Sequence, residues 1–440
     1  MIDVVIPYFD APERLASILL ALDAQVDPAT GRRPTGLAVI VADDASNVPP
    51  DVTGSDLPVR VVRHEVVGYH AAATRDLGVS ASTAEVVVLL DGDTVPAPEA
   101  VARLVAPILH GGIDVTTGRR RHADLGGLAP DEVARFVADP APERVLTEPE
   151  WLRTGLERTD RLRSPSAQVY QYVISAVMAV RREVFVEVGG FDHRFDTYGG
   201  EDWELASRLW NAGAEFEHVI DAVAFHDGPD IEGRLLDPTA KTIESLRIAD
   251  LVPASATRRA GVVHEVPDLD VRVHLAPGEP VANAVCVISL LSSRPGDLRV
   301  GLVGAAEDRS LLLDHLHDPR VVDDRSGGES IRRLPARADV TVTAPVEFDA
   351  LALHRLTERV RDGLEVEVRA CVDDAEVIAR SRRLSSPRAR ARRGAARAEV
   401  DHDPRVVGGV DHGIRAISAE GLASWMRSRP VDGSEPAQNR

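Results

Sequence analysis

An α/β fold built on a doubly wound, mostly parallel sheet is what this sequence predicts, and three observations carry the prediction. Short apolar strands alternate with segments of helical spacing through the first hundred residues. The run Val86-Val87-Val88-Leu89-Leu90 is rich in β-branched and apolar residues and is bounded by turn chemistry, as in a strand buried on both faces. That run stops abruptly at Asp91-Gly92-Asp93, which places two carboxylates at a strand's carboxyl end. Open α/β sheets bind ligands at that edge.

The elements follow in order. Ile2 to Ile6 reads as a first strand stopped by Pro7, and Pro12 to Ala24 as a helix with Leu15, Ile18, Leu19 and Leu22 on one face. Leu37 to Ala42 is a second strand closed by Asp43-Asp44, and Val59 to Val62 a third. Gly68 to Gly78 reads as a loop entering a small-residue helix ahead of the strand that ends at Asp91. Asp114 to Ser166 is polar, rich in Pro and Arg and without a clear period, so it is expected to be an excursion over the sheet edge. Order resumes at Val169 to Val180 and leads through Gly189-Gly190-Phe191-Asp192 to a helix entered by Gly199-Gly200 and stopped at Gly213. A strand over Val219 to Phe225 then ends at His226-Asp227-Gly228-Pro229.

Composition narrows the function classes. A chain of 440 residues exceeds a single core, so two domains are expected. The formal charge of -19 repels polyanions, which makes nucleic acid a poor partner. Lys241 is the single lysine, a bias of base composition rather than of function. Cys286 and Cys371 are too far apart for a metal knuckle or a redox motif, and so few thiols suit a reducing compartment. The N-terminus lacks the basic start of a signal peptide, and no apolar run is long enough to span a bilayer. A soluble, cytoplasmic protein is the expectation.

Three places carry chemistry. Asp91 and Asp93 could hold a divalent cation against an anionic substrate, although for the triplet alone a plain Asp-Gly turn remains open. In the helix Glu201-Asp202-Trp203-Glu204-Leu205-Ala206-Ser207-Arg208-Leu209-Trp210, Asp202 has helical spacing from Leu205, Ala206 and Leu209 and therefore lies on the inward face. An inward Asp fits a poised base, whereas an acidic helix start is the plainer alternative. His226, at a third strand end, is either a hydrogen-bonded structural residue or a metal ligand sharing one ion with Asp91 and Asp93.

Taken together, these segments resemble the GT-A glycosyltransferases of family 2, with a helix segment close to the galactosyltransferase-like group. The matching residues are Val4-Val5-Ile6-Pro7-Tyr8, Ala42-Asp43-Asp44-Ala45-Ser46, Arg75-Asp76-Leu77-Gly78, Asp91-Gly92-Asp93, Gly189-Gly190-Phe191-Asp192, Tyr198-Gly199-Gly200-Glu201-Asp202-Trp203-Glu204-Leu205 and His226. They cover roughly the first half of the chain, and six motifs in family order are far more specific than any one. The resemblance implies a metal-dependent, inverting transfer of a sugar from a nucleoside-diphosphate sugar, foremost a UDP-sugar, to a glycan, lipid-linked or small-molecule acceptor. By the same resemblance Pro7 and Tyr8 line the nucleotide cleft, Asp44 or Asp43 bonds the uracil or ribose, and Arg75 faces the diphosphate. Asp91 and Gly92 meet the nucleotide-sugar, while Asp93 and His226, with Asp91, hold Mn²⁺ or Mg²⁺. Asp202 is the base and Glu201 binds the acceptor. Three positions depart from the family pattern: Asp76 stands for its Asn, Ala45 for its Gly and Tyr198 for its frequent Trp. A catalytically silent glycan-binding scaffold and a sugar nucleotidyltransferase are the alternatives; the second calls for a glycine-rich basic loop where this chain has Tyr8-Phe9-Asp10-Ala11.

The expected organisation is a catalytic domain over 1–230, a helical linker over 231–275, a second smaller α/β domain over 276–425 and a flexible tail over 426–440. In the second domain Ala284 to Leu291 and Arg299 to Val303 resume the strand pattern, and Ser310 to His317 is helical. Val321-Val322-Asp323-Asp324 echoes the Asp43-Asp44 turn, and Pro345 and Val346 stand where Asp91 and Gly92 would be, with Glu347 near the second acid. The domain is either a degenerate GT-A-like repeat that has lost its metal site or an unrelated α/β domain. Arg380 to Arg397 carries eight arginines and no acid, a solvated helix face and loop or a contact for anionic lipid at a membrane surface.

Overall fold

The computed structural model describes residues 1–65, 71–195, 199–229, 238–256, 258–259, 261–294, 296–324, 336–395, 405–417 and 422–428. Gly68, Tyr198, Arg397 and the tail from Val431 lie outside the described residues. The chain forms two compact units, Met1–Trp210 with Ala214–Ile248, and Asn211–Gly213 with Ala249–Arg440. No described helix is long and apolar enough to cross a membrane.

The first unit carries strands β1 (Ile2–Tyr8), β2 (Leu37–Asp43), β3 (Val59–Arg63), β4 (Val86–Leu90), β5 (Thr94–Pro96), β6 (Val115–Ala123), β7 (Val145–Leu146), β8 (Val177–Arg181) and β9 (Phe216–Asp227). Its helices are α1 (Pro12–Asp23), α2 (Ala71–Ala81), α3 (Ala100–His110), α4 (Pro130–Ala138), α5 (Glu150–Arg158), α6 (Arg182–Glu187), α7 (Glu201–Asn211) and α8 (Pro238–Leu251), the last running across the boundary between units. The sheet order is β3-β2-β1-β4-β8-β6-β9-β5, with β7 beside β6. The four strands at its start are parallel, β8 turns antiparallel to β4 and β6, and β9 lies parallel to β6. All five residues of β4 are buried, as an apolar run between two helix-covered faces requires. Helix α1 starts with Pro12 in its first turn, where the missing N–H costs nothing, and buries Leu15, Ile18, Leu19 and Leu22 against the sheet.

One predicted loop is a strand. Within the polar stretch from Asp114 to Ser166, β6 runs inside the sheet between β8 and β9. Its apolar alternation is masked because Arg119 and Arg121 both reach Glu148, at 2.7 and 3.6 Å, and Arg121 lies over the Phe225 ring. Guanidinium stems and stacked planes do the covering that aliphatic side chains do elsewhere.

The second unit has β10 (Leu269–His274), α9 (Pro280–Ser292), β11 (Leu298–Val303), α10 (Ala306–Leu316), β12 (Val321–Asp323), β13 (Ala338–Val342), β14 (Glu347–Phe348), α11 (Ala352–Arg361), β15 (Glu367–Val372), β16 (Ala375–Ser381), α12 (Arg382–Ser385), α13 (Pro387–Ala395), β17 (Arg405–Gly408) and β18 (Ile414–Arg415). Two expectations change here. The predicted linker contributes β10, whose Leu269, Val271 and Val273 are buried in a central strand. Ala284 to Leu291 is part of helix α9, because a short run apolar on all sides suits a buried helix as well as a strand.

The second sheet repeats the topology of the first. Its order is β12-β11-β10-β13-β16-β15-β17, with β10, β11, β12 and β13 parallel, β16 antiparallel to β13 and β15, and β17 parallel to β15. Register agrees as well. Ile2 pairs with Leu37 and Val86, and Leu269 with Leu298 and Ala338, so the first residues of three strands align in each unit. Val39 pairs with Val59, and Val300 with Val321, the same offset again. By this alignment Val321-Val322-Asp323 corresponds to β3, not to the end of β2.

The alignment also relocates the lost acids. Asp91 donates its N–H to the Ala176 oxygen, and Thr343 donates likewise to Glu376. Leu90 pairs with Val177 and Val342 with Val377, so Thr343-Ala344-Pro345 stands in place of Asp91-Gly92-Asp93. The predicted match of Pro345 and Val346 was two residues out, and Glu347 opens β14. The arginine-rich run is not simply a solvated face: Arg380 pairs with Glu367 and Arg382 with Asp339.

Candidate active site

The carboxyl edge of the first sheet gathers side chains from β1, β2, β4 and β9 and from α2 and α7. Gly92 is there because the backbone comes too close for a side chain: a Cβ would lie 2.6 Å from the Pro7 carbonyl oxygen. Gly78 does the same for α2, since a Cβ would meet Val5 at 2.3 Å. The helix therefore lies tightly on β1 and delivers Arg75 to the edge.

Arg75 is buried among acids. One terminal nitrogen reaches Asp91 at 2.6 Å, the other reaches Glu201 at 3.3 Å, and the guanidinium stacks 5.6 Å from the Phe191 ring centre. Burial opposes its charge, but Asp91, Asp202 and Glu201 outweigh that and hold it firmly protonated. Arg75, expected to face the diphosphate, is here the counter-ion that joins the strand-end acid to the α7 acids. Asp76 points elsewhere: it accepts from the Phe191 N–H at 3.0 Å and from His193 at 2.7 Å, so its extra charge pins the Gly189-Gly190-Phe191 turn.

Helix α7 carries the two acids expected from its pattern. One oxygen of Asp202 accepts the Ser175 N–H at 3.1 Å, and the other is buried with no hydrogen-bond partner among the described residues. Burial raises the Asp202 carboxyl above its ordinary range, with Arg75 pulling the other way. Burial and the neighbouring Asp202 raise Glu201 to about 7. Two adjacent, largely desolvated acids beside one cation are an arrangement able to accept a proton.

Asp93 and His226 form a separate pair. The His226 Nε2 lies 3.3 Å from Asp93 Oδ2, and its Nδ1 lies 3.3 Å from the Gly228 carbonyl oxygen. Burial works against the Asp93 charge, but His226 and Arg14 outweigh it and bring the carboxyl down to about 2. A neutral imidazole donates through one nitrogen only, and here acceptors face both. A carboxylate and an imidazole nitrogen side by side at a strand edge are a donor pair that suits a divalent ion. Among the described residues no three His, Cys, Asp or Glu side chains close on one point, which leaves further coordination to phosphate or water oxygens. Asp91, grouped with these ligands by the sequence, is paired with Arg75 instead.

The nucleotide-side residues are mostly tied into structure. Asp43 accepts the Ser46 N–H and pairs with Arg63, with 1% of its surface exposed. Asp44 donates its N–H to the Tyr8 carbonyl oxygen, and the Tyr8 hydroxyl donates to Val48. Pro7 packs its carbonyl beneath Gly92. Asp43 is thus held by a cation.

Residues 3–188 match the model of glycosyl transferase family 2. The first unit belongs to that family. Residues 165–225, which include Ser175, Glu201 and Asp202, match the model described as the N-terminal domain of galactosyltransferase. The chain is 25% identical over 311 residues to a chondroitin synthase from Pasteurella multocida, covering 64% of this chain and 32% of that protein. It is 30% identical over 197 residues to the pre-mycofactocin glycosyltransferase of Mycobacterium tuberculosis, covering 44% of this chain and 38% of that one. It thus spans well under half the length of either relative. The crystal structure of S. aureus TarS aligns with a TM-score of 0.39 at 14% identity over 56% of this chain and 39% of that one.

Three contributors to this edge escape the sequence reading: Ser175, Phe191 and His193. Ser175 acts through its backbone, which no side-chain pattern reports. Phe191 stood inside a quoted motif, yet only the fold shows its ring under Arg75.

Proposed function

We propose that this chain is a metal-dependent, inverting glycosyltransferase that moves a sugar from a nucleoside-diphosphate sugar, foremost a UDP-sugar, to an acceptor hydroxyl. The observation that carries the reading is Asp202, which has one oxygen fixed by the Ser175 N–H and the other buried and without a hydrogen-bond partner among the described residues. That free oxygen takes the proton from the attacking hydroxyl, and its raised proton affinity makes it a better base than an exposed carboxylate. A single base opposite the leaving group, with direct displacement, inverts the anomeric centre. Glu201 binds the acceptor beside it, and Arg75 holds Asp91 and Glu201 in register across the cleft.

Asp93 and His226 would hold Mn²⁺ or Mg²⁺, which supplies positive charge for the departing diphosphate. Pro7, Tyr8 and Asp44 line the place where the nucleotide enters. The presence of Asp93, Asp202 and His226 together argues against a silent scaffold. The names of the relatives, chondroitin synthase among them, favour a glycan acceptor.

Thermal melting against a panel of nucleoside-diphosphate sugars, with Mn²⁺ present or chelated, tests this. A ligand that binds only the folded state raises the midpoint. A metal-dependent rise selective for one sugar nucleotide is expected; no rise with any of them would replace the reading with the scaffold.

A further inference from the structure

A second histidine stands behind His226. His122 is wholly buried on β6, directly opposite His226 on β9, and their rings approach to 5.1 Å between centres. Its Nδ1 lies 3.1 Å from the Gly228 carbonyl oxygen, the same oxygen that faces the His226 Nδ1 at 3.3 Å. A carbonyl oxygen only accepts, so both rings carry their proton on Nδ1 toward it. Gly228 itself is at φ +101, a conformation in which a glycine peptide has several orientations open to it. Two bonds from β6 select one orientation: the Gly228 N–H donates to the Ala123 oxygen at 2.8 Å, and the His122 Nδ1 donates to the Gly228 oxygen.

We infer that His122 is a positioning residue for the cation site: by fixing the Gly228 carbonyl, it keeps the His226 proton on Nδ1 and leaves Nε2 directed at Asp93 for a divalent ion. The inference rests on the metal reading proposed above. Ligand histidines are commonly held by a carbonyl or carboxylate on their second nitrogen, and loss of such a partner weakens metal affinity by about 10- to 100-fold. Here the holding carbonyl is itself held, and β6 is the strand that does it. Without His122 the glycine carbonyl is free to swing, and the His226 ring loses the partner that fixes its tautomer.

Two substitutions of similar size separate this from a merely structural role. His122→Asn places an amide N–H where Nδ1 lies and keeps the bond to Gly228, whereas His122→Gln carries its amide further out, where Nε2 lies. Binding of Mn²⁺ to the full chain, with UDP present, is read from the electron paramagnetic resonance of free Mn²⁺; melting of each variant checks its fold. His122→Asn should stay within about threefold of the unaltered protein, and His122→Gln should bind at least about tenfold more weakly. Equal affinity in the Gln variant, or an equal loss in both variants, would overturn the inference while leaving the metal reading in place. Absence of Mn²⁺ uptake by the unaltered protein would overturn both.

Discussion

Strands β4 and β13 hold the same position in their sheets, each parallel to the first strand of its unit on one side and antiparallel to a returning strand on the other. All five residues of β4 are buried, whereas Asp339 and Thr341 of β13 stand half-buried between buried Ala338, Val340 and Val342. On that second face Arg299 pairs with Asp270, Arg382 with Asp339, and Arg272 with Asp324. The strands also end differently, in Asp91-Gly92-Asp93 and in Thr343-Ala344-Pro345. The same chain path therefore serves two ends: in the first unit it presents acids at the carboxyl edge of the sheet, and in the second it supports an ion-paired sheet face. Topology alone does not carry the chemistry; the strand-end side chains do.

The largest effect should come from Asp202, the proposed base. Asp202→Asn keeps the bond from Ser175 but removes the oxygen that accepts the proton, so turnover should fall by about 10²- to 10⁴-fold while sugar-nucleotide binding, read by melting, is retained. Undiminished turnover would break the comparison, because the activity would then reside elsewhere. Next come the residues proposed to hold the metal. Asp93→Ala and His226→Ala should each remove the Mn²⁺-dependent part of nucleotide binding, whereas Thr343→Asp with Pro345→Asp should leave the Mn²⁺ stoichiometry unchanged. A second equivalent of bound ion in that double variant would show that the second edge lacked only its acids.

A pH profile sharpens the picture of the first edge. Glu201 binds its proton up to about 7 in the folded state, against an ordinary value of 4.5. Between those values the folded state holds more protons than the unfolded one, so this group's contribution to stability is present at low pH and is lost as pH rises through that window. Glu201→Gln should therefore melt progressively higher than the unaltered protein as pH goes from 4.5 to 7, with the difference constant above. A difference that did not vary with pH would place the Glu201 proton in the ordinary carboxylate range.

How much of this was legible depended on which atoms carry the work. Side-chain periodicity located β1, β2, β4, α1 and α7, and it put Asp202 on the inward face of its helix. The pairing of Asp93 with His226 followed from both sitting at strand ends of one sheet. The strand β6 was hidden because arginines neutralised by Glu148 look like solvent-facing residues in one dimension. The resemblance implies a diphosphate role for Arg75, and only the fold shows that Asp91 and Glu201 converge on it. Backbone partners such as the Ser175 N–H and the Gly228 carbonyl have no side-chain signature at all. The repeat in the second unit was visible only faintly as alternating elements, and its register needed the hydrogen bonds of Thr343 and Val342.

Gly92 and Ala344 occupy corresponding places, which turns the comparison into a steric one. Gly92→Ala should cost about 1–3 kcal/mol, because its methyl group would press on the Pro7 carbonyl and push Asp91 and Asp93 from their partners. Denaturant melts and sugar-nucleotide binding should weaken together; an unaffected variant would mean that the turn relaxes as the second unit's does around Ala344.

The smallest expected effect lies at the end of β2. Ala45 has φ +56, in the left-handed region where an L side chain is crowded against the following carbonyl, at a cost of about 1–2 kcal/mol. Glycine adopts this conformation freely but loses more freedom on folding, which offsets about 0.5–1 kcal/mol of that gain. Ala45→Gly should therefore stabilise the first unit slightly and raise its melting midpoint by about 1–3 °C, with sugar-nucleotide affinity unchanged. The turn is fixed from outside Ala45, by the Asp43 bond to the Ser46 N–H and by the Arg63 pair, so it keeps its shape when the methyl group goes. A drop in midpoint would mean that the Ala45 methyl packs more favourably than its backbone conformation costs.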